Sequence, residues 1–399
     1  MRIVLINPYY SEGMGYLENC LPKALASLKH EVFVITSTGQ VYFNQSFYKS
    51  SYEKFLGAPV VDPVRKEIDG YILQRLPFRL ILGKVILKGL GKVLIEIKPD
   101  IVQTFDPFSF LNIQVLLRRP FMHYRVFTAN HIMQSVFPLA KAGGNSMILR
   151  KALFYLTRTL PGMLINRYIE KSFPITVDAQ NISEKYYSIP RHKMRIIPLG
   201  VDTQLFTPPW SDELKVKRIK KREKYSIDED EILCIYTGRF SKGKNPLCLA
   251  KAINVLRNAG EKYKAIFIGD GSQSEEIRNI KGCITIPFVK FNLLADYYMM
   301  ADIGVWPREE STSMLDAASC GLPLVISDTV QATERILGIG LTYNENNVDD
   351  LSTTLLKLKD SEIRQKLGKK GAERMINEFS WIKIAGIRLE EYNLALAKE

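Results

Sequence analysis

Short apolar runs alternate along the chain with longer segments whose apolar residues recur every three or four positions, the pattern of parallel strands joined by crossover helices. Residues 2–7 read as a buried first strand, 16–29 as a helix and 31–36 as a second strand. Further strands are predicted at 101–104, 124–128 and 173–177. A second series starts near 232–236 and continues at 265–268, 284–286, 303–306 and 324–326. Two α/β units are therefore expected. Their boundary is expected near 196–209, where Pro198, Gly200, Pro208 and Pro209 punctuate the chain. Beyond Asp360 the pattern is helical through Lys398, with a break at Phe379-Ser380-Trp381. No internal repeat of solenoid period is present.

Charge changes this picture of two similar units. The 399 residues carry a net charge of +13, and 46% of them are hydrophobic, a globular composition that excludes disorder. Residues 1–200 hold 26 basic against 13 acidic groups, whereas residues 201–399 hold 29 of each. The first half is thus expected to face a polyanion, a nucleic acid or an anionic membrane surface. Five cysteines without a C-x-x-C pair give neither a disulfide framework nor a zinc ribbon and fit a reducing compartment. The opening apolar run is too short for a signal peptide, and no apolar stretch is long enough to span a bilayer, so a soluble or peripheral protein is expected.

Three loops carry candidate chemistry. Residues 7–15, Asn-Pro-Tyr-Tyr-Ser-Glu-Gly-Met-Gly, lead from the first strand into a helix, where backbone N–H groups can face an anion or simply form a turn. The dinucleotide fingerprint G-x-G-x-x-G is not there, which disfavours a nicotinamide-dependent dehydrogenase. Residues 236–246 join a strand to a helix and contain Arg239, Lys242 and Lys244; such a loop grips a diphosphate or is a solvated basic loop. Residues 306–323 again join strand to helix, with Glu309 and Glu310 on the loop and Asp316 in the first helical turn. Ser313 and Asp316 form a Ser-x-x-Asp pattern, so Asp316 either caps the helix or accepts hydrogen bonds from vicinal sugar hydroxyls.

Taken in order, these residues resemble the retaining GT-B glycosyltransferases of family four. The resemblance runs through Asn7-Pro-Tyr with Gly13, Gly15 and Glu18; Lys98-Pro-Asp-Ile-Val; His131; Ile197-Pro-Leu-Gly-Val-Asp202 with Phe206 and Pro208; and Gly238-Arg-Phe with Lys244. It continues through Gly269-Asp-Gly271, Tyr297-Tyr-Met-Met-Ala-Asp302, Asp316-Ala-Ala-Ser-Cys-Gly-Leu-Pro323 and Phe379-Ser-Trp381. The resemblance implies an α/β fold of two Rossmann-like domains facing across a cleft. The expected parts are an acceptor-binding domain at 1–197, a nucleotide-sugar-binding domain at 198–375 and a C-terminal helix at 376–399 that crosses back to the first domain.

The same resemblance implies roles for particular residues. Arg239 and Lys244 would neutralise the donor pyrophosphate as it departs, with Gly13, Gly15, Gly238, Ser311 and Ser313 completing the donor site. His131 would lie near the sugar and pyrophosphate. Family members carry two Glu residues separated by seven others; here Asp316 takes the second position, which would hold the ribose, while a gapless count places Arg308 at the first. Glu310 is favoured for the sugar contact, with Glu309 as the neighbouring choice. Asp178 and Glu184 either touch the acceptor or belong to a helix start.

Neither a metal nor another cofactor is expected, and Asp228-Glu-Asp230 reads as a solvated turn. The expected donor is UDP- or GDP-linked, and the acceptor lipid-linked, a glycan or otherwise anionic, met at the cytoplasmic face of a membrane. Two basic segments could serve that surface: 79–97, drawn as a helix with Lys84, Lys88 and Lys92 on one side, and 146–169, with Arg150, Lys151, Arg158 and Arg167 interspersed. For each segment taken alone, a core-facing helix with a solvated basic face is the favoured reading. The alternatives are a catalytically inactive GT-B paralogue that acts as a binding or scaffold protein, and a nucleic-acid binder, disfavoured because the usual aromatic and glycine signatures are missing.

Overall fold

The computed structural model describes residues 1–132, 137, 139, 146–330 and 336–398. The chain forms two compact α/β units, one of residues 1–49, 56–199 and 381–399, the other of residues 50–55 and 200–380.

The first unit is built on strands β1 (Arg2–Ile6), β2 (Glu31–Ser37), β3 (Arg65–Ile68), β4 (Tyr71–Leu76), β5 (Phe78–Ile81), β6 (Lys84–Leu87), β7 (Ile101–Thr104), β8 (Arg125–Asn130) and β9 (Lys171–Pro174). Seven of them make one sheet in the order β3-β4-β2-β1-β7-β8-β9, parallel except for the β3–β4 pair. Its central strands are apolar on both sides because helices cover both faces. Val4, Ile6, Phe33, Ile35, Val102 and Val126 lead a core that continues into the helix Leu90–Ile97.

Residues 79–97 do not form one basic helix. Gly83 and Gly89 take φ of 71° and 81°, breaking the segment into the β5–β6 hairpin and the helix Leu90–Ile97. Strand alternation in β6 then buries Val85 and Leu87, while Leu80 and Ile81 of β5 and Leu82 of the turn are exposed. Asp178 lies in the first turn of the helix Val177–Tyr187, whose cap is the Thr176 hydroxyl accepting from the Ala179 N–H.

The second unit carries β10 (Ile232–Thr237), β11 (Tyr263–Ile268), β12 (Cys283–Ile286), β13 (Ile303–Trp306), β14 (Leu324–Ser327) and β15 (Gly340–Tyr343), all parallel in the order β12-β11-β10-β13-β14-β15. From β10 the chain winds outward through β11 and β12, then returns to β13 on the other side. The order therefore reverses between β10 and β13, and their carboxyl ends flank the crevice where open parallel sheets hold ligands.

Helix Ser361–Arg374 runs on into a π-helical turn at Met375–Phe379, and only Ser380, extended at φ −62° and ψ 141°, ends it. The expected boundary at 375/376 thus falls at Ser380/Trp381, and the helix Trp381–Leu396 is part of the first unit. There Tyr392 donates to Gln103 Oε1 at 2.6 Å, and Glu391 pairs with Lys171 and Arg195 at 3.0 and 2.9 Å. Arg388 is completely buried, stacked 5.0 Å over the Phe173 ring, with one bond to Gln103 and with Nε and Nη2 unpartnered.

Candidate active site

The loop after β10 is held in place by the loop after β11. Gly238 N donates to Ile268 O at 3.0 Å, and Phe240 N to Asp270 O at 2.9 Å. A Cβ at Gly269, which takes φ 145°, would collide with the Gly238 carbonyl oxygen, so the two loops approach this closely only with glycine there. The Tyr236 hydroxyl donates to the Arg239 carbonyl at 2.9 Å, which fixes the backbone that carries the Arg239 guanidinium.

Lys244 joins this loop to the one after β13. Its Nζ donates to the Glu310 carbonyl at 2.6 Å and lies 3.4 Å from Glu309 Oε2. Burial holds the ammonium below the usual lysine range, against the opposing pull of Glu309. Arg308 reaches back to the Lys242 carbonyl at 3.3 Å and pairs with Glu345 at 3.0 Å. The Glu310 side chain is turned inward and only 8% exposed.

Ser313 is the first helical residue of Ser313–Ser319, not its cap; Thr312 takes that place without a side-chain bond. The Ser313 hydroxyl instead accepts from Trp306 Nε1 at 3.1 Å and meets Ser311 Oγ at 2.7 Å. The capping-box reading of Ser313 and Asp316 therefore fails. Asp316 is buried, and burial, reinforced by the Asp202 carboxylate, pushes its carboxyl well above the usual range. Tyr298, buried on the adjoining helix, shares a 2.6 Å hydrogen bond with Thr237 at the end of β10.

Seven of the sequence-derived positions thus gather at the switch point of the second unit: Gly238, Arg239, Lys244, Glu310 and Ser311 on two adjacent loops, and Ser313 and Asp316 in the first turn of the helix that follows. The other three are in the first unit. Gly13, at φ 83°, and Gly15 lie on the loop after β1, which Ser11 anchors through Gln40 Oε1 at 2.7 Å and the Val41 N–H at 2.9 Å. His131 follows β8 with its ring 5.7 Å from that of Phe105 and its buried Nε2 unpartnered. Burial, with repulsion from Arg388, lowers its pKa to about 3, so the imidazole is neutral across the physiological range. Glu18, in the first turn of the helix after the Gly13 loop, is raised to about 7 by burial. Asp202, Tyr298 and Thr237 had no assigned role from sequence, because only folding brings them beside the 306–323 loop.

Residues 217–374 match the model of the glycosyl transferases group 1 family. The match covers 158 of the 399 residues, all within the second unit. It is 26% identical over 229 residues to a D-inositol 3-phosphate glycosyltransferase of Pseudarthrobacter chlorophenolicus, an alignment covering 53% of this chain and 52% of that relative. The chain thus spans about half the length of this curated relative. A Rickettsia africae glycosyltransferase superposes with a TM-score of 0.69 at 17% identity, covering 100% of this chain and 99% of the other. Anabaena HepE in complex with UDP and glucose superposes at 0.66 and 13% identity, covering 99% of each chain. The fold is therefore GT-B. In family terms the matched segment includes the β13 loop and the Lys244 loop, whereas Gly13, Gly15 and His131 lie outside it.

Proposed function

We propose that the chain is a retaining glycosyltransferase that moves a hexose from a UDP- or GDP-linked donor to a lipid-linked, glycan or other anionic acceptor at a membrane surface. One observation carries the reading: a partly buried lysine ammonium, Lys244, bridges two loops at the switch point of a parallel sheet, beside Gly238-Arg239. A diphosphate is the ligand that such a pair of cations suits, Arg239 through its planar fork and Lys244 as a point charge. HepE, of the same fold, is recorded with UDP and glucose, which supports a nucleotide-sugar donor.

In this reading Arg239 and Lys244 stabilise the negative charge that develops on the departing diphosphate, without a divalent cation. Glu310 contacts the transferred sugar, Asp316 the ribose, and Ser311 and Ser313 the donor. Gly13 and Gly15 let the β1 loop approach the phosphates, and neutral His131 hydrogen-bonds sugar or phosphate. The acceptor hydroxyl is deprotonated by the departing phosphate oxygen on the same face, which retains configuration.

The test is donor hydrolysis or transfer after a thermal-shift screen of nucleotide diphosphate sugars. Specific stabilisation by one donor, with turnover lost in folded Arg239→Ala and Lys244→Ala, is the expected result; full activity in both variants refutes the site. A second reading, an inactive paralogue that binds without transfer, is favoured by Arg308 at the first acidic position, where it is already committed to Glu345. Donor binding without any turnover would select it.

A further inference from the structure

The segment after residue 146 leaves a row of leucines on the outside of a folded domain. It runs as the helix Ser146–Phe154, a π-helical turn at Tyr155–Thr159 and the helix Leu160–Asn166. Its inward side joins Phe154 and Ile165, which pack on the core cluster around Phe137 and Tyr187, to small and polar groups. Thr159 donates to the Tyr186 carbonyl at 2.7 Å, and Asn166 donates to the Tyr187 and Ser188 carbonyls at 2.9 Å each. Between them Gly162 packs so closely that a Cβ there would lie 2.9 Å from the Tyr187 carbonyl oxygen. The segment is therefore seated on the end of Val177–Tyr187 through the Phe154 ring contacts with Tyr186 and Tyr187, hydrogen bonds and a glycine contact.

Its outward side is apolar. Leu153, Leu156, Leu160, Met163 and Leu164 recur at helical spacing and are 42 to 63% exposed. Leu117 and Phe121, on the neighbouring segment after the helix Phe110–Leu116, are 67% and 83% exposed. An apolar cavity of about 590 Å³ lies on that neighbouring ground, lined by Leu116, Pro120, Ile165 and Tyr168 among others. A core-facing helix would present these leucines to the protein and its polar residues to water. Here Phe154 and Ile165 face the protein while the leucines are left in solvent, and the exposed patch calls for an apolar occupant.

The charge around the patch specifies which occupant. Residues 146–169 contain Arg150, Lys151, Arg158 and Arg167 and no acidic residue. Glu170, the next carboxylate, is enclosed between Arg119 and Arg125 at 3.6 Å from each. An apolar stripe with interspersed cations suits the interface of an anionic bilayer, where leucines enter the acyl boundary and the basic heads meet lipid phosphates.

We propose that this face of the first domain, led by Leu153, Leu156, Leu160, Met163 and Leu164, docks the protein on an anionic membrane. The proposal deepens the acceptor side of the proposed function, and its test needs no nucleotide sugar. Sedimentation of the full chain with vesicles of phosphatidylcholine, alone or mixed with phosphatidylglycerol, reads it directly. Binding is expected only with the anionic lipid, weakening as salt rises. Leu156→Glu with Leu164→Glu should lower the partition coefficient by more than about tenfold, and Arg150→Glu with Lys151→Glu should lower it and flatten the salt dependence. Circular dichroism melts should match wild type, since all four side chains are outside the core. Equal binding to neutral vesicles, or undiminished binding by the folded leucine variant, overturns the proposal. So does a lipid-independent dimer that the leucine variant dissociates, because the face would then be covered by a second copy. Loss of sugar transfer with intact vesicle binding would refute the transferase reading alone.

Discussion

Glu18 offers a quantitative test of how the loop after β1 is built. Burial raises its carboxyl from an ordinary 4.5 to about 7, although its own backbone N–H favours the charged form. In the unfolded chain the group ionises near 4.5; in the folded chain it stays protonated until about 7. Below 4.5 both states carry the proton and the group contributes nothing to pH dependence. As pH rises from there the unfolded state gives up its proton first, so stability falls, and the decline levels off above the folded value. At about 1.4 kcal/mol for each pH unit between the two values, the loss is about 3 kcal/mol. Glu18→Gln keeps the shape and cannot ionise. The variant should therefore match wild type at pH 4 and exceed its stability by about 3 kcal/mol at pH 8, measured by urea unfolding at a series of pH values. Parallel stability curves for the two proteins across that window would refute the reasoning, since they would mean that the carboxyl ionises as readily in the folded chain as in the unfolded one.

Lys244→Met should fold, because its aliphatic body remains, yet lower kcat/KM by about a hundredfold, as expected when one placed charge on a departing group is lost. Gly269→Ala should force the Gly238 carbonyl away and abolish donor-induced thermal stabilisation while the first domain is unaffected. Arg388→Met should cost under about 1 kcal/mol in unfolding experiments and Arg388→Ala over about 2, since the buried guanidinium has two unpartnered nitrogens but fills volume on Phe173. The imidazole of His131 should show no protonation by NMR down to about pH 4, well below the ordinary histidine value, because burial lowers it to about 3. A ring titrating near the ordinary 6.5 would refute the burial of the His131 imidazole.

Much of the architecture was legible in the sequence because parallel strands buried on both faces must be written as continuous apolar runs. Ile232–Thr237 and Ile303–Trp306 could be read from their own composition. The edge strand β3 and its neighbour β4 escaped notice: β3, Arg-Lys-Glu-Ile, is mostly exposed and charged and has no apolar run. The hairpin at 78–87 was hidden for a different reason, since its lysines also recur at helical spacing and only the left-handed glycines reveal the turn.

The site divides in the same way. Sequence by itself determined the residue types and their place after particular strands, Gly238-Arg239 and Lys244 on one loop, Glu309 and Glu310 on another, because strand-to-helix punctuation is local. Only the tertiary structure decided that β10 and β13 are neighbours and that Lys244 therefore meets Glu309 and the Glu310 carbonyl across 66 residues. It likewise decided that Ser313 serves Trp306 rather than a helix cap, and that Asp316 lies buried beside Asp202. The sequence also determined the basic excess of the first half, but whether its leucines faced core or solvent depended on which side of the 146–166 helix the Val177–Tyr187 helix accepts. Its carbonyl end offers acceptors to Thr159 and Asn166 and its Tyr186 and Tyr187 rings receive Phe154, contacts that no periodicity encodes and that leave the leucines outward.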